Sequence, residues 1–122
     1  MAHYFITGTS SGIGAALCAR LTQAGHDVSG IARRKSQLGA SAEKINLFRG
    51  YQSDVVDTKG LKKTISLAKS NAGPIDVAIL NAGIYQPQDG TSIDPQTYAN
   101  HMNINYLGVV NALSAIVPDM VR

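Results

Sequence analysis

At 122 residues, 44% of them apolar, and with a formal charge of +3, the chain has the length of one domain and enough apolar content for a packed core. No stretch approaches the roughly 20 apolar residues of a membrane span, the basic residues form no dense stripe with interleaved aromatics, and Met1-Ala2-His3 leads straight into a core strand without a secretory pattern. These features argue against membrane and nucleic-acid partners and predict a cytoplasmic location; the single cysteine, Cys18, permits no internal disulfide.

In chain order, the short apolar run Tyr4-Phe5-Ile6 predicts a first strand, followed by the turn Thr7-Gly8-Thr9-Ser10-Ser11-Gly12-Ile13-Gly14 and an amphipathic helix over residues 13–24. Gly8, Gly12 and Gly14 stand where a strand passes tightly into a helix and where backbone must come close to an anion. The first helical turn would then aim unpaired N–H groups at a phosphate. The turn lacks the Gly-Lys-Ser/Thr ending of an ATP-type loop. Cys18 falls on the apolar face of this helix, where a thiol behaves as a small buried hydrophobe.

Gly25 stops the first helix, and residues 26–32 read as a second strand centred on Val28 and Ile31. A short, weakly patterned helix is expected over 35–44 and a third strand over 45–51. Asp57 offers an N-cap to a helix with Leu61, Ile65 and Ala68 on its apolar face. Lys59, Lys62, Lys63 and Lys69 lie on the solvated side, and the helix ends at Asn71-Ala72-Gly73-Pro74. Residues 77–80 form a compact buried strand. The loop over 85–93, with Pro87, Asp89 and Gly90, is the segment expected to move. Asp94-Pro95 then opens one long helix through Tyr98, Met102, Tyr106, Val109, Leu113 and Ile116, which Pro118 bends or closes. Alternating strands and helices imply an α/β, Rossmann-type, doubly wound parallel sheet. His3, His26 and His101 have no metal-ligand spacing, and His101 is placed on the wet face of the long helix.

The strand-end residues together resemble the short-chain dehydrogenase/reductase family. Thr7-Gly8-x-x-x-Gly12-Ile13-Gly14 matches that family's cofactor loop, and Asp54-Val55, Asn81-Ala82-Gly83 and Asn105-x-x-Gly108 match its next three signatures in order, over essentially the whole chain. The resemblance implies that Gly8, Thr9, Ser10, Ser11, Gly12, Ile13 and Gly14 cradle the pyrophosphate. Asp54 would accept from the adenine amino group, with Val55 flanking the ring, and Asn81, Ala82 and Gly83 would line the crevice under the ribose. The plainer alternatives are a strand-end turn residue for Asn81, which is compatible with the first role, and a solvated or capping carboxylate for Asp54.

The end of the second strand bears on the choice of nicotinamide cofactor. An acidic residue there would bind a ribose 2′-hydroxyl, whereas this chain has Ala32 followed by Arg33 and Arg34. A guanidinium grips a phosphate through two parallel hydrogen bonds, so the pair favours NADP(H) over the alternative of two surface arginines.

The resemblance also implies four catalytic groups, of which Asn105 matches the asparagine. The others are a serine after a further strand and a tyrosine four residues before a lysine, the ammonium lowering the phenol pKa from about 10. Tyr4, Tyr51, Tyr85, Tyr98 and Tyr106 are followed four positions later by Gly8, Val55, Asp89, Met102 and Val110, none of them lysine. The expectation is a fold truncated after its fourth βα unit and inactive alone. Strand 77–80 would be an exposed edge that, with the long helix, drives self-association. The resemblance implies the NADP(H)-binding portion of a short-chain oxidoreductase, which transfers a hydride between the nicotinamide and a carbonyl or alcohol substrate; the alternative function is a non-catalytic dinucleotide-binding or interaction protein.

Overall fold

The computed structural model describes residues 1–10, 12–33 and 47–121. Strands β1 (His3–Thr7), β2 (Asp27–Ala32), β3 (Phe48–Gln52) and β4 (Val77–Leu80) form one parallel sheet in the order β3-β2-β1-β4. The chain steps outward from β1 to β3 and then returns to the far side of β1. This α/β arrangement leaves a crevice at the carboxyl ends of the strands where the direction of winding reverses.

Helix α1 (Gly12–Gln23) covers one face, and α2 (Thr58–Ala72) and α4 (Gly108–Met120) cover the other. Side-chain alternation along β1 divides the interior. Phe5 joins Ile31, Leu61, Ile65, Ala112 and Ile116 on the α2/α4 face, while Ile6 joins Cys18, Val28 and Phe48 against α1. The two inner strands, β1 and β2, are buried along most of their length, as in a sheet sheltered on both faces.

The helix starts follow from local chemistry. Asp57, extended at the start of α2, accepts from the Gly60 N–H at 3.1 Å, and Gly73 with φ +85° ends the helix by donating to the Lys69 carbonyl at 2.8 Å. Asp94 caps α3 (Pro95–His101) through the Gln96 N–H at 3.1 Å and the Thr97 hydroxyl at 2.9 Å, with Pro95 at the first position. His3 is buried and donates from Nδ1 to the Gly73 carbonyl at 2.8 Å while its Nε2 accepts from the Ser29 hydroxyl at 2.7 Å, tying the amino ends of β1 and β2 to the turn before β4.

Several expectations are corrected. The third strand is Phe48–Gln52, displaced toward the crevice relative to 45–51, while residues 45 and 46 and the helix expected over 35–44 lie outside the described residues. Lys69 is not simply solvated: it pairs with Asp119 of α4. The expected single long helix is three segments, α3, a π-helical segment (Met102–Leu107) and α4. Gly108 explains the junction, since a Cβ there would come within 2.6 Å of Val55 Cγ2, so the helix crosses the β3–α2 turn where a side chain does not fit. α4 runs past Pro118 to Met120.

Among the described residues β4 pairs only with β1, and Val77 on it is 37% exposed. Val110, Leu113, Val117 and Met120 of α4 are exposed as well. No helix among the described residues is long and apolar enough to cross a membrane.

Burial pushes the Cys18 thiol up to about 11, so near neutral pH it is protonated as well as inaccessible. A disulfide-exchange reagent at about pH 8 is therefore expected to leave Cys18 unmodified in the folded chain and to react with one equivalent only after denaturation; fast modification of folded protein would contradict this packing.

Candidate functional site

The crevice is built by the four segments that leave the carboxyl ends of the strands. Gly8 and Ser10 follow β1, Arg33 follows β2, Ser53, Asp54 and Val55 follow β3, and Ala82, Gly83 and Ile84 follow β4. Together with Ile31, Ala32 and Ile104 they enclose a cavity of about 120 Å³.

Its floor is a contact between main chains. Gly8 has φ +73°, and a Cβ on it would stand 2.8 Å from Ala82 Cα; a Cβ on Gly14 would stand 1.9 Å from the Gly8 carbonyl oxygen. That same oxygen accepts from Asn81 Nδ2 at 3.2 Å, and the Thr7 hydroxyl accepts from the Ala82 N–H at 2.9 Å. Asn81 thus serves as the strand-end residue that fastens β4 to the glycine turn. The start of α1 is thereby set beside the carboxyl end of β1, with Gly12 at φ +60° and Ile13 72% exposed. The first N–H groups of a helix have no partner within it and carry the positive end of its dipole, so they present an anion site.

The predicted residues do not all face the cavity. Thr9 is fully buried, and both its N–H (3.3 Å) and its hydroxyl (3.1 Å) donate to the Ile31 carbonyl, so it anchors the turn to β2. Gly14 sits beneath the turn rather than on the cavity wall. Asp54 lines the cavity while its Oδ1 accepts from the Val56 N–H at 3.2 Å, leaving its other oxygen for a ligand. Val55 lines the cavity and also packs into the α2/α4 core. Ser11 and Arg34 lie outside the described residues.

Asn105, in the π-helical segment, bonds one residue through both polar atoms of its amide. Its Oδ1 accepts from the Ile84 N–H at 2.7 Å and its Nδ2 donates to the Ile84 carbonyl at 2.8 Å. π-segments of this kind recur where a helix must present a side chain at a functional site. His101, expected on a wet face, is half-buried and engaged at both nitrogens. Its Nδ1 donates to the Thr97 carbonyl at 2.7 Å, and its Nε2 accepts from the Gln86 N–H at 2.9 Å.

Three wall residues escaped the sequence reading. Ile104 is brought to the cavity by the turn of the π-segment and Ile84 is held there by Asn105 of that segment, an arrangement no local pattern announces. Ser53 is signalled only by its place before Asp54; its hydroxyl oxygen is buried with no hydrogen-bond partner. A buried hydroxyl without a partner is costly, by about 1–3 kcal/mol. Ser53 and the free oxygen of Asp54, beside the apolar Ile31, Ala32 and Ile104, suit a heteroaromatic ring bearing an amino group. The α1 N-terminus and Arg33 suit phosphates, and these residues therefore fit a dinucleotide.

The family model described as short chain dehydrogenase matches residues 2–122. The chain belongs to the short-chain dehydrogenase/reductase family. It is 35% identical over 123 residues to a 3-dehydrosphinganine reductase of Arabidopsis thaliana, covering 97% of this chain and 36% of that protein. It is 32% identical over 115 residues to a 3-ketodihydrosphingosine reductase of Bacteroides thetaiotaomicron, covering 94% of this chain and 40% of that protein. The crystal structure of a short-chain dehydrogenase/reductase from Saccharomyces cerevisiae superposes with a TM-score of 0.89 at 27% identity, over 98% of this chain and 49% of that one. The chain thus spans less than half the length of these relatives. The short-chain dehydrogenase/reductase family is one of oxidoreductases that bind a nicotinamide dinucleotide, and the crevice is the part of the fold where such a ligand would lie. Among the described residues, no group of three or more His, Cys, Asp or Glu could hold a metal ion.

The two glycines of the turn have different physical reasons, and substitution separates them. Gly12→Ala meets no neighbour within 4 Å and only strains a positive φ, so it is expected to cost about 1 kcal/mol. Gly14→Ala drives a methyl into the Gly8 carbonyl and is expected to cost about 3 kcal/mol or to prevent folding. Urea denaturation of the two variants checks that order.

Proposed function

We propose that residues 1–122 form one Rossmann-type domain that binds NADP(H), the cofactor-binding part of a short-chain oxidoreductase acting on a carbonyl or alcohol substrate. The observation that carries this reading is the arginine at the end of β2. Arg33 lines the crevice directly after the buried Ala32, where a 2′-hydroxyl reader would present a carboxylate. The main-chain N–H groups at Gly12, Ile13 and Gly14, with Gly8, Ser10 and Ser11, would take the pyrophosphate. Asp54 and Val55 would take the adenine, and Asn81, Ala82 and Gly83 the ribose side. Arg34 would add a second guanidinium for the 2′-phosphate.

When bound, the nicotinamide would give or take a hydride at the substrate carbon. The contribution of Asn105 follows from its geometry. With both amide atoms held by Ile84, it supports the reacting end by fixing the loop that follows Gly83. The matching proton transfer at the substrate oxygen needs a group of suitable pKa, and no tyrosine of this chain stands four residues before a lysine. The reductases among the relatives support the reductive direction and a ketone as substrate. The location proposed for the chain is the cytoplasm.

The same reading extends to self-association. Among the described residues the β4 edge away from β1 has no strand partner, and the exposed α4 residues Val110, Leu113 and Val117 give it an apolar flank. Two copies meeting there would cover both. Sedimentation at micromolar concentration is expected to show a species heavier than one chain, and Leu113→Glu to shift it toward the monomer.

Calorimetric titration with NADPH and, separately, NADH tests the cofactor assignment. Saturable binding with NADPH preferred is expected, and Arg33→Ala should weaken NADPH about tenfold, as for loss of a charge-assisted hydrogen bond, while leaving NADH nearly unchanged. Equal affinity for both in the unmodified chain would overturn the NADP(H) preference.

A further inference from the structure

The segment from Gly83 to Asp94 joins the crevice to α3 and contains no helix or strand. It is held by two side chains from the elements that follow it and by one of its own. Asn105 grips both main-chain groups of Ile84, His101 takes the Gln86 N–H, and Gln88 reaches forward with Oε1 to accept from the Asp94 N–H at 3.2 Å. Two of these three clamps are amides, which do not titrate. The third is an imidazole.

The partners of His101 admit only one proton arrangement. The Thr97 carbonyl can only accept, so Nδ1 carries the hydrogen; the Gln86 N–H can only donate, so Nε2 must be bare. The bond to Gln86 therefore exists only in the neutral ring. A proton on Nε2 would face the Gln86 N–H donor to donor, and the loop main chain would have to withdraw. Imidazole is the side chain whose charge changes within the physiological pH range. Tyr85 and Tyr98 line the same groove as His101. The carboxylates nearest in sequence are both engaged by main chain, Asp94 at the α3 cap and Asp89 by the Thr91 N–H, which holds its carboxyl below the usual range.

We propose that His101 is a positioning residue that holds the loop leaving Gly83 against α3 only while its ring is neutral, which makes this side of the crevice proton-sensitive. Ile84, two residues before Gln86, forms part of the cavity wall. Protonation would thus free the loop main chain immediately beyond that wall, at Gln86, while Asn105 keeps its hold on Ile84, and it would act without contact with a ligand. The consequence for cofactor binding rests on the function proposed above. The latch itself does not.

Amide hydrogen exchange of the 122-residue chain, expressed as protection relative to the unstructured peptide rate, reads the latch directly and without ligand. Between about pH 8 and about pH 5, Gln86 protection is expected to fall about tenfold while Ile84, clamped by Asn105, changes little. In His101→Gln, whose amide oxygen can accept at the place of Nε2, Gln86 should stay protected at both pH values; in His101→Phe it should be unprotected at both, with Ile84 protection reporting that the chain remains folded. Gln86 protection that is independent of pH in the unmodified chain, or that falls in parallel in His101→Gln, would overturn the proposal. NADPH titrations at the two pH values then form a separate arm. Loss of the pH dependence of affinity in His101→Gln links latch to site, whereas failure to bind at either pH, with the exchange result intact, counts against the cofactor reading alone.

Discussion

The carbonyl oxygen of Gly8 is the point on which the site depends. It lies against Gly14 so closely that no side chain fits between them, and it accepts the Asn81 amide. One main-chain atom therefore fixes three things at once: the end of β1, the start of α1 and the exit of β4. A helix N-terminus attracts anions only within its first turn, so its value for binding lies in being held at a set distance from the crevice floor. Here that distance is fixed by a van der Waals contact between backbones, which leaves no rotamer to adjust. Thr9 completes the arrangement by spending its N–H and hydroxyl on the Ile31 carbonyl, so that the turn is sewn to β2 as well as to β4.

This explains which parts were legible in the sequence. Where one residue type satisfies a backbone need by itself, the pattern is visible: Asp57 and Asp94 as caps, Pro95 at a first helical position and Gly73 as a stop are found as the sequence predicts, and so is the strand over 77–80, although its residues are exposed or half-buried and not buried as expected. The glycine turn is legible for the same reason. The inward orientation of Thr9 is not, because it depends on Gly30, a residue on another strand, leaving room for the Thr9 methyl. Nor is the break of the long helix. The apolar spacing through Met102, Tyr106 and Val109 reads as continuous, and the interruption arises from two demands imposed across the fold, Asn105 reaching Ile84 and Gly108 passing Val55. Ser53 and His101 are distinguished only by what surrounds them. A serine before an aspartate and a histidine on a polar helix carry no local mark of a buried hydroxyl or of a doubly bonded ring.

The two sides of the crevice are consequently supported in different ways. The side made by Gly8, Thr9 and the start of α1 rests on main-chain packing, and the side made by Gly83 and Ile84 rests on side-chain clamps from the π-segment and α3. Packed backbones resist displacement because every neighbour must move with them, whereas each clamp can be released singly at the cost of about one net hydrogen bond. One wall of the crevice is thus built to stay fixed and the other to adjust. The asymmetry is built into the order of the strands. β1 lies between β2 and β4 and has neighbours on both sides, so the turn leaving it is held from two directions. β4 pairs only with β1 among the described residues, and the loop leaving it has to be held from above by the helix that follows.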